Sequence, residues 1–163
     1  MFGADTFHTA MAEIVVGTMV LATVCAVGCA SIRYIPLPAD KRESLMVTMD
    51  RASMAGASMA LLFMPIAIMS GNLAADNTVG NALLYNKFVY SGLALGFWAA
   101  FVVGRVRMGP GIWEVRPLGI LQSSTAVMAF LMTTMASSIG GKLVRGESMF
   151  DVLPIWFPSD LSL

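Results

Sequence analysis

The stretch Arg51–Asn72, RASMAGASMALLFMPIAIMSGN, decides the fold. From Ala52 to Met69 it carries no charge. At about 1.5 Å per residue, that is close to the helix length needed to cross a hydrocarbon core of about 30 Å. Yet its first half is mostly Ala, Ser and Gly. A helix surrounded only by lipid has no reason to shed bulk. Small residues let two backbones approach, and in lipid close packing supplies the attraction between helices. Ala52, Gly56 and Ala60 recur at four-residue steps and so share one face. The segment therefore reads as a membrane helix whose smooth face meets another helix. Pro65 predicts a kink, with Ser70 and Asn72 placed to satisfy freed carbonyls.

Three further stretches have the same character: Thr9–Ile32, Leu83–Val103 and Leu118–Ile139. The whole 163-residue chain is 57% apolar and 12% charged, with a mean hydropathy of +0.76. A soluble domain carries roughly twice that charge. Formal net charge is zero, which argues against nucleic acid as a partner. The expected fold class is all-α: a polytopic membrane protein with four transmembrane helices in a compact bundle. It forms one domain over residues 1–163, with spans 9–32, 52–69, 83–103 and 118–139. Residues 142–163 form a tail that Trp156 and Phe157 anchor at the membrane interface. The opening MFGADTFH lacks a basic n-region, so the first apolar segment is expected to be retained.

Basic residues orient the spans. Arg33, Lys41, Arg42, Arg51, Arg105, Arg107 and Arg116 fall on one side, and Lys87, Lys142 and Arg145 on the other. The positive-inside rule then puts both termini outside, in the inner (cytoplasmic) membrane of a cell.

Each span owns a stripe of small residues. Beside Gly56 and Ala60 stand Gly92, Gly96, Ala100 and Gly104 in the third span. Ala129, Thr133, Ser137 and Gly141 follow in the fourth, and Ala22, Ala26 and Ala30 in the first. The pattern serves contacts within the chain and contacts with a neighbouring subunit equally.

Chemistry-bearing residues are few. His8, the sole histidine, stands at the mouth of span one as a candidate cofactor contact or a packing residue. One histidine excludes bis-histidine haem from this chain, while His plus Met ligation stays open. Glu13 lies five residues on, about 140° around the helix, so the two form no natural ligand pair. An ionisable group inside a span is a functional candidate; Glu13 can equally reach headgroup water or pair with Lys87. Asn86 and Lys87 carry the same two readings. Asp50 fits a helix cap and Arg51 a headgroup contact.

Several suggestive patterns reduce to packing. Met49, Met54, Met59, Met64 and Met69 step by five residues and spiral around their helix, which argues against a copper relay. Cys25 and Cys29 share a helical face with poor disulfide geometry. The hydroxyls of QSSTAVMAFLMTTMASS are expected to bond within their own helix or to a neighbour. Walker, dinucleotide, paired-cysteine and nucleophile-elbow motifs are absent.

Taken in order, His8, Gly71 with Asp76, Asn86 with Arg105, and GGKLVRG at Gly140–Gly146 resemble a group of small, largely uncharacterised four-helix membrane proteins, mainly bacterial. Where those relatives carry a histidine near the start of helix three, Asn81 and Tyr85 stand here. The resemblance implies a role beside redox proteins or in holding haem b. The leading expectation is a non-catalytic accessory subunit of a larger membrane complex, respiratory or otherwise redox-linked. Its partners are other membrane subunits and lipids, and it requires no cofactor. The alternatives are an electron-transfer module binding haem or quinone, and a small transporter or channel using Glu13, Lys87 and the hydroxyls of span four.

Overall fold

The computed structural model describes residues 4–74 and 82–145. They form four long helices: α1 (Ala4–Ser31), α2 (Ala39–Ala74), α3 (Ala82–Met108) and α4 (Arg116–Arg145). All four are long and apolar enough to cross a membrane. Short 3-10 turns at Ile32–Tyr34 and Pro110–Trp113 lie in the connections after α1 and α3. Asp76, Asn81, Trp156 and Phe157 lie outside the described residues.

Each helix outruns its sequence-defined span. α2 is 36 residues long, about 54 Å of helix. It starts directly after Pro38, whose fixed φ cannot extend a helix backwards, and runs on through Ser70 and Asn72. The helix is continuous through Pro65. The hydroxyl of Ser70 bonds to Ala67 O at 3.2 Å, so it does not relieve the carbonyl that Pro65 frees. α4 continues to Arg145, which makes Lys142–Arg145 helix rather than tail. Gly109 makes the turn after α3 with φ +69, a region that disfavours any side chain.

α1 packs most extensively on α2, and α3 on α4; α1 also meets α4, and α2 meets α3. Packing is close where residues are small. A Cβ added at Gly56 would lie 2.6 Å from Thr18 O and 3.1 Å from Ala22 Cβ. Ala22, Ala26, Ala57, Ala60, Ala94, Ala126 and Ala129 are all fully buried, interleaved with Met19, Trp98 and Phe101. The bulk points the other way: Leu62 and Leu121 are each 64% exposed. Small residues inside and large apolar ones outside is the distribution expected where the solvent is lipid. It also answers the missing bulk of Ala52–Ala60, because Gly56 and Ala60 are buried there.

The third span's stripe divides. Gly104 faces α4, where an added Cβ would sit 3.0 Å from Gln122 Oε1. Gly92, Gly96 and Ala100 are exposed, and an added Cβ at Gly92 or Gly96 would meet nothing within 4 Å. Along α4, Ala129 and Thr133 are buried, Ser137 is exposed and Gly141 is partly buried.

Candidate functional site

The polar groups fall at two opposite ends of the helices. One end is closed by a network. Asp50 does not cap α2; it lies about three turns inside it and is 6% exposed. Arg105 of α3 donates to its carboxylate from Nε at 2.6 Å and from Nη2 at 2.5 Å. Trp113 donates from Nε1 to Asp50 Oδ1 at 2.6 Å. Arg33, just past α1, donates to the carbonyl of Trp113. A carboxylate this deep is tolerable because fork-shaped and indole donors satisfy it together. Nearby, Gln122 donates to Phe101 O at 2.6 Å, tying α4 to α3.

The other end opens into a cavity of about 750 Å³ lined by all four helices. The N-terminal part of α1 contributes His8, Glu13 and Val16. The C-terminal part of α2 contributes Met64, Ile68 and Gly71. α3 supplies Lys87, Ser91 and Ala94, and α4 supplies Thr133, Ser137 and Gly140–Gly141. His8, Glu13 and Lys87 thus share one cavity although they come from two helices. Asn86 is partly buried on α3 and is not among its lining residues. Gly56, Ala60, Gly92, Gly96, Ala100 and Gly104 lie elsewhere, while Thr133, Ser137 and Gly141 belong to the cavity wall.

Each lining polar group is held differently. The His8 ring lies against α2, with Nδ1 at 3.1 Å from Ser70 Oγ. It is so close that a Cβ at Gly71 would be 2.6 Å from His8 Cε1 and 3.1 Å from each ring nitrogen. Both nitrogens therefore lie over α2, a poor arrangement for binding haem iron from within the cavity, even though Met64 also lines it. Thr133 is satisfied by Ala129 O at 2.9 Å and approaches Met19 Sδ at 3.1 Å. Most hydroxyls of α4 bond back along their own helix, as in Thr125 to Leu121 O and Thr134 to Phe130 O, both between 2.8 and 2.9 Å.

Glu13 and Lys87 are the exception. Glu13 is exposed and Lys87 partly buried; they do not pair with each other, and among the described residues neither has a hydrogen-bond or ion-pair partner. The Lys87 ammonium stretches across α4, 3.3 Å from where a Gly140 Cβ would be. The missing side chain at Gly140 is what gives it room.

Sequence reasoning misplaced Asp50, assigned Ser70 to the backbone freed by Pro65 rather than to His8, and overlooked Trp113 and Ser91. A signal existed for Ser91, which follows Lys87 by four residues and so shares its helical face. None existed for Trp113, which only tertiary structure brings to Asp50. Among the described residues no cluster of three His, Cys, Asp or Glu side chains could hold a metal. Cys25 and Cys29 are free thiols. Compared with known protein families, with curated proteins and with solved structures, the chain has no match.

Proposed function

We propose that this chain is a multi-pass protein of the cell's inner membrane, a compact four-helix bundle with both termini outside, acting as a non-catalytic subunit of a larger membrane assembly. The observation that carries this reading is the outer face of α3. Gly92, Gly96 and Ala100 recur at four-residue steps and are exposed, meeting no other helix among the described residues. Lipid alone does not call for such a groove, whereas a closely packed neighbouring helix does. The buried small residues of α1, α2 and α4 already serve contacts inside the chain; among the described residues this stripe does not. Native membranes solubilised in mild detergent and run on a blue-native gel test it. The wild-type chain is expected in a discrete large assembly. Gly92→Leu with Gly96→Leu is expected to release it as a small particle without destabilising the chain itself, since each mid-helix glycine is a poorer helix former by about 0.5–1 kcal/mol. A wild-type chain that migrates alone would sink the subunit reading.

The cavity supports a second reading, in which the bundle binds a small amphipathic molecule between its helices. Its size falls within the usual range for ligand sites, and its wall is apolar with a few polar groups near the helix ends. The orientation of His8 argues against the haem version and leaves quinones and other amphiphiles as candidate ligands. The network at Asp50 closes the opposite end, which gives the channel reading no support.

A further inference from the structure

The ligand-binding reading leaves the class of ligand open, and the charges in the cavity narrow it. Glu13 on α1 and Lys87 on α3 line the same space with opposite sign and do not touch. Neither has a partner among the described residues. Lys87 is partly buried and gives up part of its hydration without recompense, whereas Glu13 is exposed along the same wall and holds its charge there. An anionic ligand would satisfy Lys87 and be repelled by Glu13. A neutral ligand would leave both without a counter-charge. A head carrying one positive and one negative group satisfies the two at once. The rest of the wall suits an apolar body, since Val15, Val16, Met64, Ile68 and Ala94 also line it.

Resting on that ligand-binding reading, we propose that the cavity holds an amphiphile with a zwitterionic head, its anionic group against Lys87 and its ammonium group against Glu13. The acyl chain lies along the apolar wall between α1, α2 and α3. Aminophospholipids have this chemistry, with phosphate and ammonium joined by a short spacer.

The test is native mass spectrometry of the full chain in mild detergent, with three probes offered separately: dilauroyl-phosphatidylethanolamine, dilauroyl-phosphatidylglycerol and decylubiquinone. The wild-type chain is expected to retain the ethanolamine lipid about tenfold more strongly than the glycerol lipid, a difference of about 1.4 kcal/mol. Glu13→Gln is expected to erase that preference, and Lys87→Met to weaken both lipids. The charge-exchanged variant, Glu13→Lys with Lys87→Glu, keeps the cavity's net charge and is expected to restore the preference. Ser137→Trp, which fills the cavity from an exposed position, is expected to block all three probes.

Equal retention of the two lipids, or a preference that survives both single substitutions, would overturn the zwitterionic head while leaving the cavity a ligand site. Retention of decylubiquinone alone would overturn it in favour of a neutral quinone. If the wild-type chain retains none of the probes, or if Ser137→Trp changes nothing, the ligand-binding reading falls as well.

Discussion

At the Asp50 end, Arg105 of α3 and Trp113 of the following 3-10 turn both donate to one carboxylate of α2, and Arg33 donates in turn to Trp113 O. At the Glu13 end, an exposed acid and a partly buried base line a cavity and stay apart. Both ends contain an acid and a base from different helices, but only Asp50 is a buried acid. The contrast lies in what each pair does with its charge. Paired charges fix helix positions and have little left to offer a ligand. Unpaired charges lining a hollow contribute nothing visible to the fold and are available to something else. Function is therefore sought at the end where the polar groups are less well satisfied.

Substitutions sharpen that contrast. The largest effect is expected from Asp50→Ala, which strands the Arg105 guanidinium and the Trp113 indole. Removing one partner of a buried pair costs about 3–5 kcal/mol, read as a lowered Tm of the full chain in detergent. A double-mutant cycle with Arg105→Met should recover much of that loss. Additive losses would show that the two do not act as a pair. Next comes Gly56→Val, because the new side chain strikes the α1 backbone at Thr18 O rather than a flexible side chain. Overpacking of this kind costs about 1–3 kcal/mol; an unchanged Tm would mean that α1 and α2 separate more easily than their contact implies. The smallest effect is expected from Lys87→Met, within about 1 kcal/mol of wild type and towards greater stability, since it removes a desolvated charge without breaking a bond. A loss as large as that for Asp50→Ala would erase the distinction between the two ends.

Much of the fold was legible in the sequence, for a physical reason. Lipid imposes long apolar segments and forbids unpaired backbone, so four such segments mean four helices. The buried role of Gly56 and Ala60 was also readable, because small residues at four-residue steps carry one dominant meaning in lipid. The same rule spoke less clearly for Gly92 and Gly96, since spacing alone cannot say which neighbour a smooth face meets. Glu13, Lys87 and His8 were readable as outliers among apolar residues, but not as members of one cavity. Their convergence depends on how α1 and α3 sit relative to α2 and α4, which is long-range information. Asp50 was misread for a related reason. An acidic residue before an apolar run looks like a cap, and only the arrival of Arg105 and Trp113 from 55 and 63 residues away reveals it as buried.

The connectivity of the Asp50 network also bears on how the protein is made. Arg33, Asp50, Arg105 and Trp113 all precede α4 in the chain. During synthesis, which proceeds from the N-terminus at about 5–20 residues per second, the first three helices and the turn after them can be joined before the last helix leaves the ribosome. The cavity cannot form so early, because Thr133, Ser137 and Gly140 belong to that last helix. Assembly is thus ordered by position along the message: the latch is set first, and the pocket is completed only when the fourth helix slides into a frame already standing.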